Sequence, residues 1–341
     1  MVSVSRRSLL AFGAALPVLG RLDWAVASPP PATADTVRLN YNESPYGPSD
    51  AAREAMQRGV GSSGRYPYEH MYALAGMFAR QQGIAEEQVA VFAGSMAALR
   101  YAVVAFTSAS RGLVMATPCY EVPRQAAESW AAPVREVSLD THHAHDVPAM
   151  LAADPQAGML YLCNPNNPTG TVTPTDAIRQ ALANKPQGSV LVVDEAYIDF
   201  SDAQSCVSWV KDHDDLLVLR TFSKIYGMAG ARLGLAIGNP ALLERLAVFG
   251  GDNVPAASTL LGARASLEDP KLLAQRKALN TQLREESVAW LKGRGFTCTA
   301  SQSNCFMIDV KQPAQQVIDT LAAHGVLVGR VWKDWPQWVR V

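Results

Sequence analysis

Cysteine is scarce in this chain. Its 341 residues include five, Cys119, Cys163, Cys206, Cys298 and Cys305, scattered and without a C-x-x-C spacing. Such spacing excludes a disulfide framework and a cysteine-built metal site, and reads as free, mostly buried thiols. An excess of one charge is also missing: 30 Lys and Arg stand against 31 Asp and Glu. A near-neutral chain lacks the basic stripe that nucleic-acid binding requires. The apolar run at residues 9–20 is too short for a bilayer span, which needs ~20 apolar residues. His142, His143 and His145 lie close together but in a polar connection with no further ligand cluster, so no metal site is read there. What the chain does have is a 48% hydrophobic composition. That is enough for a large core, and at roughly 100–200 residues per domain the length allows one to three domains.

Apolar strand patterns alternate with helical ones over most of the length. Strands are predicted at 89–93, 113–116, 134–139, 159–163, 190–194, 216–221 and 233–238, with helices at 49–57, from Ser95, at 146–152 and at 173–183. Alternation of this kind predicts a doubly wound α/β domain with a mostly parallel sheet. The pattern changes after Gly250-Gly251. Helices at 255–267, 270–292 and 313–323 with short strands at 296–300, 305–310 and 326–328 predict a smaller α+β domain. The division expected is a linker and N-terminal arm at 28–60, a large domain at 61–250 and a small domain at 251–341.

Three stretches carry chemistry. In Thr221-Phe222-Ser223-Lys224-Ile225-Tyr226-Gly227-Met228-Ala229-Gly230-Ala231-Arg232 a lysine and an arginine sit among hydroxyls and glycines. Loops of this composition handle phosphate, because small residues admit backbone N–H groups and a guanidinium fork to the oxyanion. Lys224 is then either one more phosphate ligand or a Schiff-base nucleophile with a lowered pKa; a solvated basic turn is the plain alternative. Val190-Leu191-Val192-Val193 reads as a strand buried on both faces, and Asp194 follows it with Tyr197 beyond. Open α/β sheets place their ligands at such strand ends. Asn164-Pro165-Asn166-Asn167-Pro168-Thr169-Gly170 follows a further apolar run and by itself is a turn.

In this order and spacing the three resemble the fold-type I aminotransferases that use pyridoxal 5'-phosphate (PLP), over about residue 38 to the end. The resemblance implies that Lys224 carries the cofactor covalently and shuttles a proton, and that Asp194 pairs with the pyridine nitrogen. Tyr197 and Asn167 would bond the ring's phenolic oxygen, and Thr221, Ser223 and Arg232 would hold the phosphate. Gly94-Ser95-Met96 opens a helix whose backbone N–H groups form an anion site; the family usually has an acid where Met96 stands. By the same resemblance Tyr120, in Thr117-Pro118-Cys119-Tyr120, stacks on the ring. Within the family the likeness is to histidinol-phosphate aminotransferases. It rests on the arm Asn40-Tyr41-Asn42-Glu43-Ser44-Pro45-Tyr46-Gly47-Pro48, the turn Arg65-Tyr66-Pro67 and the lysine loop. The arm would cross the site, with Tyr46 facing the substrate, and Tyr66 would reach the neighbouring subunit's phosphate, which implies a homodimer. Ser303-Asn304-Cys305-Phe306 matches a substrate-side segment, with Cys305 altering its order. Arg340, in Trp338-Val339-Arg340, would bind the substrate's anionic end, and Arg330 competes for that role. Family members continue from this strand into a final helix, so the C-terminus reads as truncated.

The activity implied is transfer of an amino group between an amino acid or amino-alcohol phosphate, histidinol phosphate-like or aromatic, and a 2-oxo acid. PLP-dependent decarboxylation of a phosphorylated amino acid is the alternative reaction. A PLP-binding regulatory protein is the non-enzymatic alternative, and no DNA-binding segment accompanies it. Residues 1–27 have a basic start with Arg6-Arg7, a short apolar stretch and a small-residue site at Ala25-Val26-Ala27. They read as a signal peptide resembling twin-arginine export signals, against an uncleaved anchor or an internal start; a cytoplasmic location is the alternative.

Overall fold

The computed structural model describes residues 36–250 and 253–341. The signal peptide read at 1–27 and the start of the linker lie outside the described residues. Chain order is β1 (Val37–Arg38), α1 (Asp50–Val60), α2 (Tyr68–Gln82), β2 (Val89–Phe92), α3 (Ser95–Phe106), β3 (Leu113–Thr117), α4 (Val122–Ser129), β4 (Val134–Ser138) and α5 (Val147–Ala153). Next come β5 (Met159–Cys163), α6 (Thr175–Asn184), β6 (Val190–Asp194), β7 (Leu216–Thr221), β8 (Gly234–Gly238), α7 (Pro240–Ala247) and α8 (Ala257–Glu268). The chain closes with α9 (Leu272–Lys292), β9 (Thr297–Cys298), β10 (Met307–Asp309), α10 (Ala314–Ala323), β11 (Val326–Leu327) and β12 (Trp338–Arg340).

Every residue of β5, β6, β7 and β8 is buried. Their unbroken apolar runs are those of strands covered on both faces, as in α/β sheets. Together with β2, β3 and β4 they form a seven-stranded sheet in the order β2-β8-β7-β6-β5-β3-β4. The pairs β3–β4, β3–β5, β5–β6 and β6–β7 are parallel. β8 runs antiparallel to both neighbours. The edge strand β4 is the one with largely exposed residues. The mostly parallel, doubly wound expectation is met, and Asp194 and Thr221 fall at the carboxyl ends of β6 and β7.

Smaller sheets follow. β12, β10 and β9 make an antiparallel three-stranded sheet, with a small core of Ala314, Val328 and Val339. The strand expected at 326–328 does not join it. β11 pairs in parallel with β1, Val37 opposite Val326, so the arm is fastened to the late part of the chain before it turns toward the large sheet. Helix α1 begins where expected: Ser49 caps it by accepting from the Ala52 N–H at 3.3 Å, which satisfies one of the open donors of the first turn. Helices α2, α4 and α7 are additions to the elements predicted from sequence. All five cysteines are free, four of them buried.

Candidate active site

The lysine loop leaves the end of β7 and turns back into β8. Thr221 Oγ1 accepts from the Ser223 N–H at 3.1 Å, so its hydroxyl braces the loop. The Lys224 ammonium donates to the carbonyls of Tyr41 (3.1 Å) and Asn42 (3.2 Å), and lies 5.6 Å from the centre of the Tyr197 ring. The arm therefore crosses the lysine, as the resemblance implies. Burial, helped by the Arg340 charge, pushes the Lys224 amine down to about 8. Desolvation favours the neutral amine, and so does a nearby like charge.

Asp194 and Glu195 show the alternation at a strand end. Glu195 turns to a structural cluster, 3.5 Å from Arg220 and accepting from Ser205 Oγ at 2.6 Å. Asp194 turns to the site, accepting from Tyr161 Oη at 3.0 Å and from the Ala196 N–H at 3.1 Å. Burial raises its carboxyl to about 6, opposed by those two hydrogen bonds and by Lys224. Neither Asp194 nor Lys224 makes an ion pair among the described residues.

Beside them, Gly94 sets up the N-terminus of α3. Its φ of 95° and its lack of a capping side chain leave the first turn open. A Cβ on Gly94 would lie 2.5 Å from Arg232 Nη2, and one on Gly234 would lie 2.1 Å from the Ser95 nitrogen. Only glycine lets the guanidinium and the helix start meet so closely. Arg232 itself adopts the left-handed backbone, φ 58°, and its Nη1 donates to Ala229 O at 2.9 Å, with Ser223 Oγ at 3.5 Å. Open helix donors, a guanidinium and Ser223 thus converge, which is the composition of a phosphate cradle. Met96 is the second residue of α3, so its backbone N–H is among the open donors of the first turn, and its side chain is partly exposed. Half-buried Tyr120 follows β3, its hydroxyl pushed up to about 12 by burial first and Asp194 second.

On the opposite wall, Arg340 at the end of β12 donates from Nη1 to Asn167 Oδ1 at 2.9 Å and from Nη2 to Asn40 O. Its Nε is buried without a partner. Asn42, which is buried, donates from Nδ2 to Tyr197 Oη and to Cys305 Sγ, both at 3.1 Å, while Asn304 Nδ2 donates to Asn42 O at 3.0 Å. The Oδ1 atoms of Asn42 and Asn304 are likewise buried and unpartnered. Buried polar groups left open in this way point to a missing hydrogen-bonding ligand.

Lys224, Asp194, Tyr197, Asn167, Ser223, Arg232, Ser95 and Arg340 are thus brought into one network of neighbouring contacts. Three of the residues read from sequence stand apart from it. Tyr66 is 82% exposed, against Tyr68. Tyr46, 53% exposed, lines a neighbouring pocket of about 740 Å³ with Glu43, Arg276, Asn304 and Trp290. Arg330 is held in a two-pronged pair by Glu121, at 2.6 and 3.3 Å. Reading the sequence missed Asn42 and Tyr161 as site residues. Tyr161 looked like one more core residue of β5, and only the register that sets Cys163 opposite Asp194 shows that it reaches the carboxylate. Among the described residues no group of His, Cys, Asp and Glu could hold a metal ion; His145 is buried and bonded to Cys163 O at 3.0 Å.

Fold and site define a class: an α/β sheet whose strand ends bring a buried lysine and carboxylate beside an open helix N-terminus. Residues 34–341 match the model of the aminotransferase class I and II family, and the chain belongs to that family. It is similar to the histidinol-phosphate aminotransferase of Halalkalibacterium halodurans, 30% identical over 311 residues that cover 89% of this chain and 84% of the relative. A solved structure of a provisionally assigned histidinol-phosphate aminotransferase from Erwinia carotovora atroseptica superposes with a TM-score of 0.87 at 28% identity, covering 91% of this chain and 92% of the other. The histidinol-phosphate aminotransferase of Sinorhizobium meliloti, solved in complex with PLP, has the same fold: TM-score 0.84 at 23% identity, over 89% and 85% of the two chains.

Proposed function

We propose that this chain is a PLP-dependent aminotransferase moving an amino group from an amino donor to a 2-oxo acid. The observation that carries this reading is the set of charged groups without counterions. Among the described residues Asp194 at the end of β6, Lys224 in the loop after β7 and Arg232 beside the start of α3 make no ion pair. Such an arrangement costs stability unless a ligand completes it.

The residues fit the cofactor. The α3 N-terminus, Arg232 and Ser223 would hold the phosphate, Asp194 the pyridine nitrogen, Tyr197 and Asn167 the phenolic oxygen, and Tyr120 the ring face. PLP, once bound, supplies an electron sink for the bond broken at the donor's α-carbon. Lys224 moves the α-proton: a buried amine titrating near 8 is matched to accept and return it close to neutral pH. Arg340, oriented by Asn167 and Asn40, offers a guanidinium to the donor's anionic group. The arm roofs Lys224 with two carbonyls and limits water around it.

Borohydride treatment of the PLP-loaded protein followed by peptide mapping places the pyridoxyl group on Lys224, and 2-oxo acid forms from a panel of amino donors. Label on Lys185 or Lys211, or carbon dioxide in place of a 2-oxo acid, sinks this reading. Two further proposals rest on sequence. The exposed Tyr66 is read as completing the phosphate site of a second copy, making the enzyme a homodimer. Residues 1–27 are read as a twin-arginine signal. Replacing Arg6 and Arg7 by lysine retains the protein in the cytoplasm, and unchanged fractionation discards the export proposal. Among the described residues no helix is long and apolar enough to cross a membrane.

A further inference from the structure

Arg340 is the guanidinium on the wall opposite the phosphate cradle, and Arg330 follows Gly329, whose N–H bonds to Arg340 O. We infer that Glu121 withholds Arg330 from the substrate and so sets the enzyme's choice toward donors whose anionic group is a singly charged carboxylate, and against phosphorylated donors. This rests on the aminotransferase reading above.

The placement comes from both sides of the cleft. Glu121 directly follows Tyr120, just past the carboxyl end of β3. Arg330 follows Gly329, whose N–H donates to Arg340 O at 2.8 Å. A Cβ on Gly329 would lie 2.9 Å from the Arg340 Cβ. A substrate anion seated on Arg340 therefore lies one residue away from the strand segment that carries Arg330. Glu121 takes that guanidinium with both oxygens, at 2.6 and 3.3 Å. The guanidinium also stacks on the buried Trp332, 4.1 Å from its ring centre. Two hydrogen bonds plus stacking bias the half-exposed Arg330 side chain toward Glu121 and away from the cleft.

Charge around the pair points the same way. Arg124, which also touches Glu121 at 3.4 Å, is shared with Glu128 at 3.1 Å and Glu136 at 3.5 Å. The Asp334 carboxylate accepts from the Thr117 hydroxyl at the end of β3, close enough to Glu136 to raise that group's pKa along with burial. Exposed Lys333 makes no ion pair among the described residues. Four carboxylates thus stand against three cations along this rim. A carboxylate needs one fork and finds it in Arg340. A phosphate dianion needs a second cation and meets a net negative rim.

The test uses L-histidine and L-histidinol phosphate, which share amine and imidazole and differ in the anionic group. The PLP-loaded wild type should give a higher kcat/KM with L-histidine. Glu121→Gln should move the ratio toward the phosphorylated donor by about two- to fivefold, the scale of a half-exposed ion pair. Glu136→Gln, a milder change on β4, should move it the same way by less. Raising salt should screen the rim and narrow the wild-type preference, which requires no variant to fold. Wild-type preference for L-histidinol phosphate, or a ratio unmoved by both variants and by salt, overturns the inference while leaving the aminotransferase reading intact. No turnover of any amino donor overturns that reading itself.

Discussion

At the scale of single residues, chemistry here is set by neighbours that cannot be read in sequence order. Lys224 was legible because hydroxyls, glycines and Arg232 surround it in the chain; the carbonyls it donates to, Tyr41 and Asn42, and the charge that depresses its pKa after burial, Arg340, come from far-off positions. Arg340 was legible as a substrate anchor only through resemblance, and its rival Arg330 is separated from it by Glu121, which nothing local to Arg330 reveals. Titration of Lys224 tests this arrangement. Burial, then Arg340, depresses the amine from 10.5 to about 8, so in the cofactor-free protein it is mainly free base above that pH and mainly charged below it. Competitive acylation followed over pH by mass spectrometry should give Lys224 a midpoint near 8. In Arg340→Ala the midpoint should rise, since a like charge that opposed protonation has gone. A midpoint that falls, or stays fixed, contradicts the geometry in which Arg340 faces the lysine.

Elements were most legible where one physical rule decides them. Apolar runs between turns predicted β5, β6 and β7 to the residue, because strands buried on both faces are apolar over most of their length, with polar residues such as Asp194 and Arg220-Thr221 only at their carboxyl ends. Ser49 gave the start of α1 through its cap. Of the helices not predicted, α7 does carry such a signal, Asn239 capping it by accepting from the Ala241 N–H at 2.9 Å, while α2 and α4 lack one. α2 starts behind Pro67 with no side-chain cap, and α4 has neither a side-chain cap nor basic residues in its last turn. The late strands were predicted in place but too long: β9 and β11 are two residues each, inside the ranges 296–300 and 326–328. β11 also pairs with the arm nearly 300 residues earlier in the chain. The start of α3 combines both situations. Gly94-Ser95 predicted a turn and an anion site, but that Gly94 and Gly234 must lack side chains to admit Arg232 and the Ser95 nitrogen follows only from the antiparallel pairing of β2 with β8.

For the whole molecule, the arrangement left open is what covers the face bearing Tyr66. Tyr66, Tyr68 and Tyr72 are exposed together at the start of α2, and singly exposed aromatics are ordinary while a group of them marks a contact surface. The network around Lys224 contains donors for a phosphate from α3, Ser223 and Arg232, and among the described residues no tyrosine hydroxyl hydrogen-bonds to Ser223 or Arg232. A second copy supplying Tyr66 would complete the cradle from outside. This proposal has a test that separates assembly from folding. In a dimer with shared sites, Lys224→Ala and Tyr66→Ala damage different halves of the same site. Each variant prepared alone is expected to have little activity. Mixed after reversible dissociation, they form hybrid dimers in which one site carries both changes and the other carries neither. Activity should then return to about a quarter of the wild-type value, because about half the dimers are hybrid and each restores one of two sites. Sedimentation of each variant as a dimer shows that assembly survives. If the mixture stays as inactive as its parts while the dimers exchange freely, Tyr66 serves its own chain. If Tyr66→Ala alone is fully active, it serves neither.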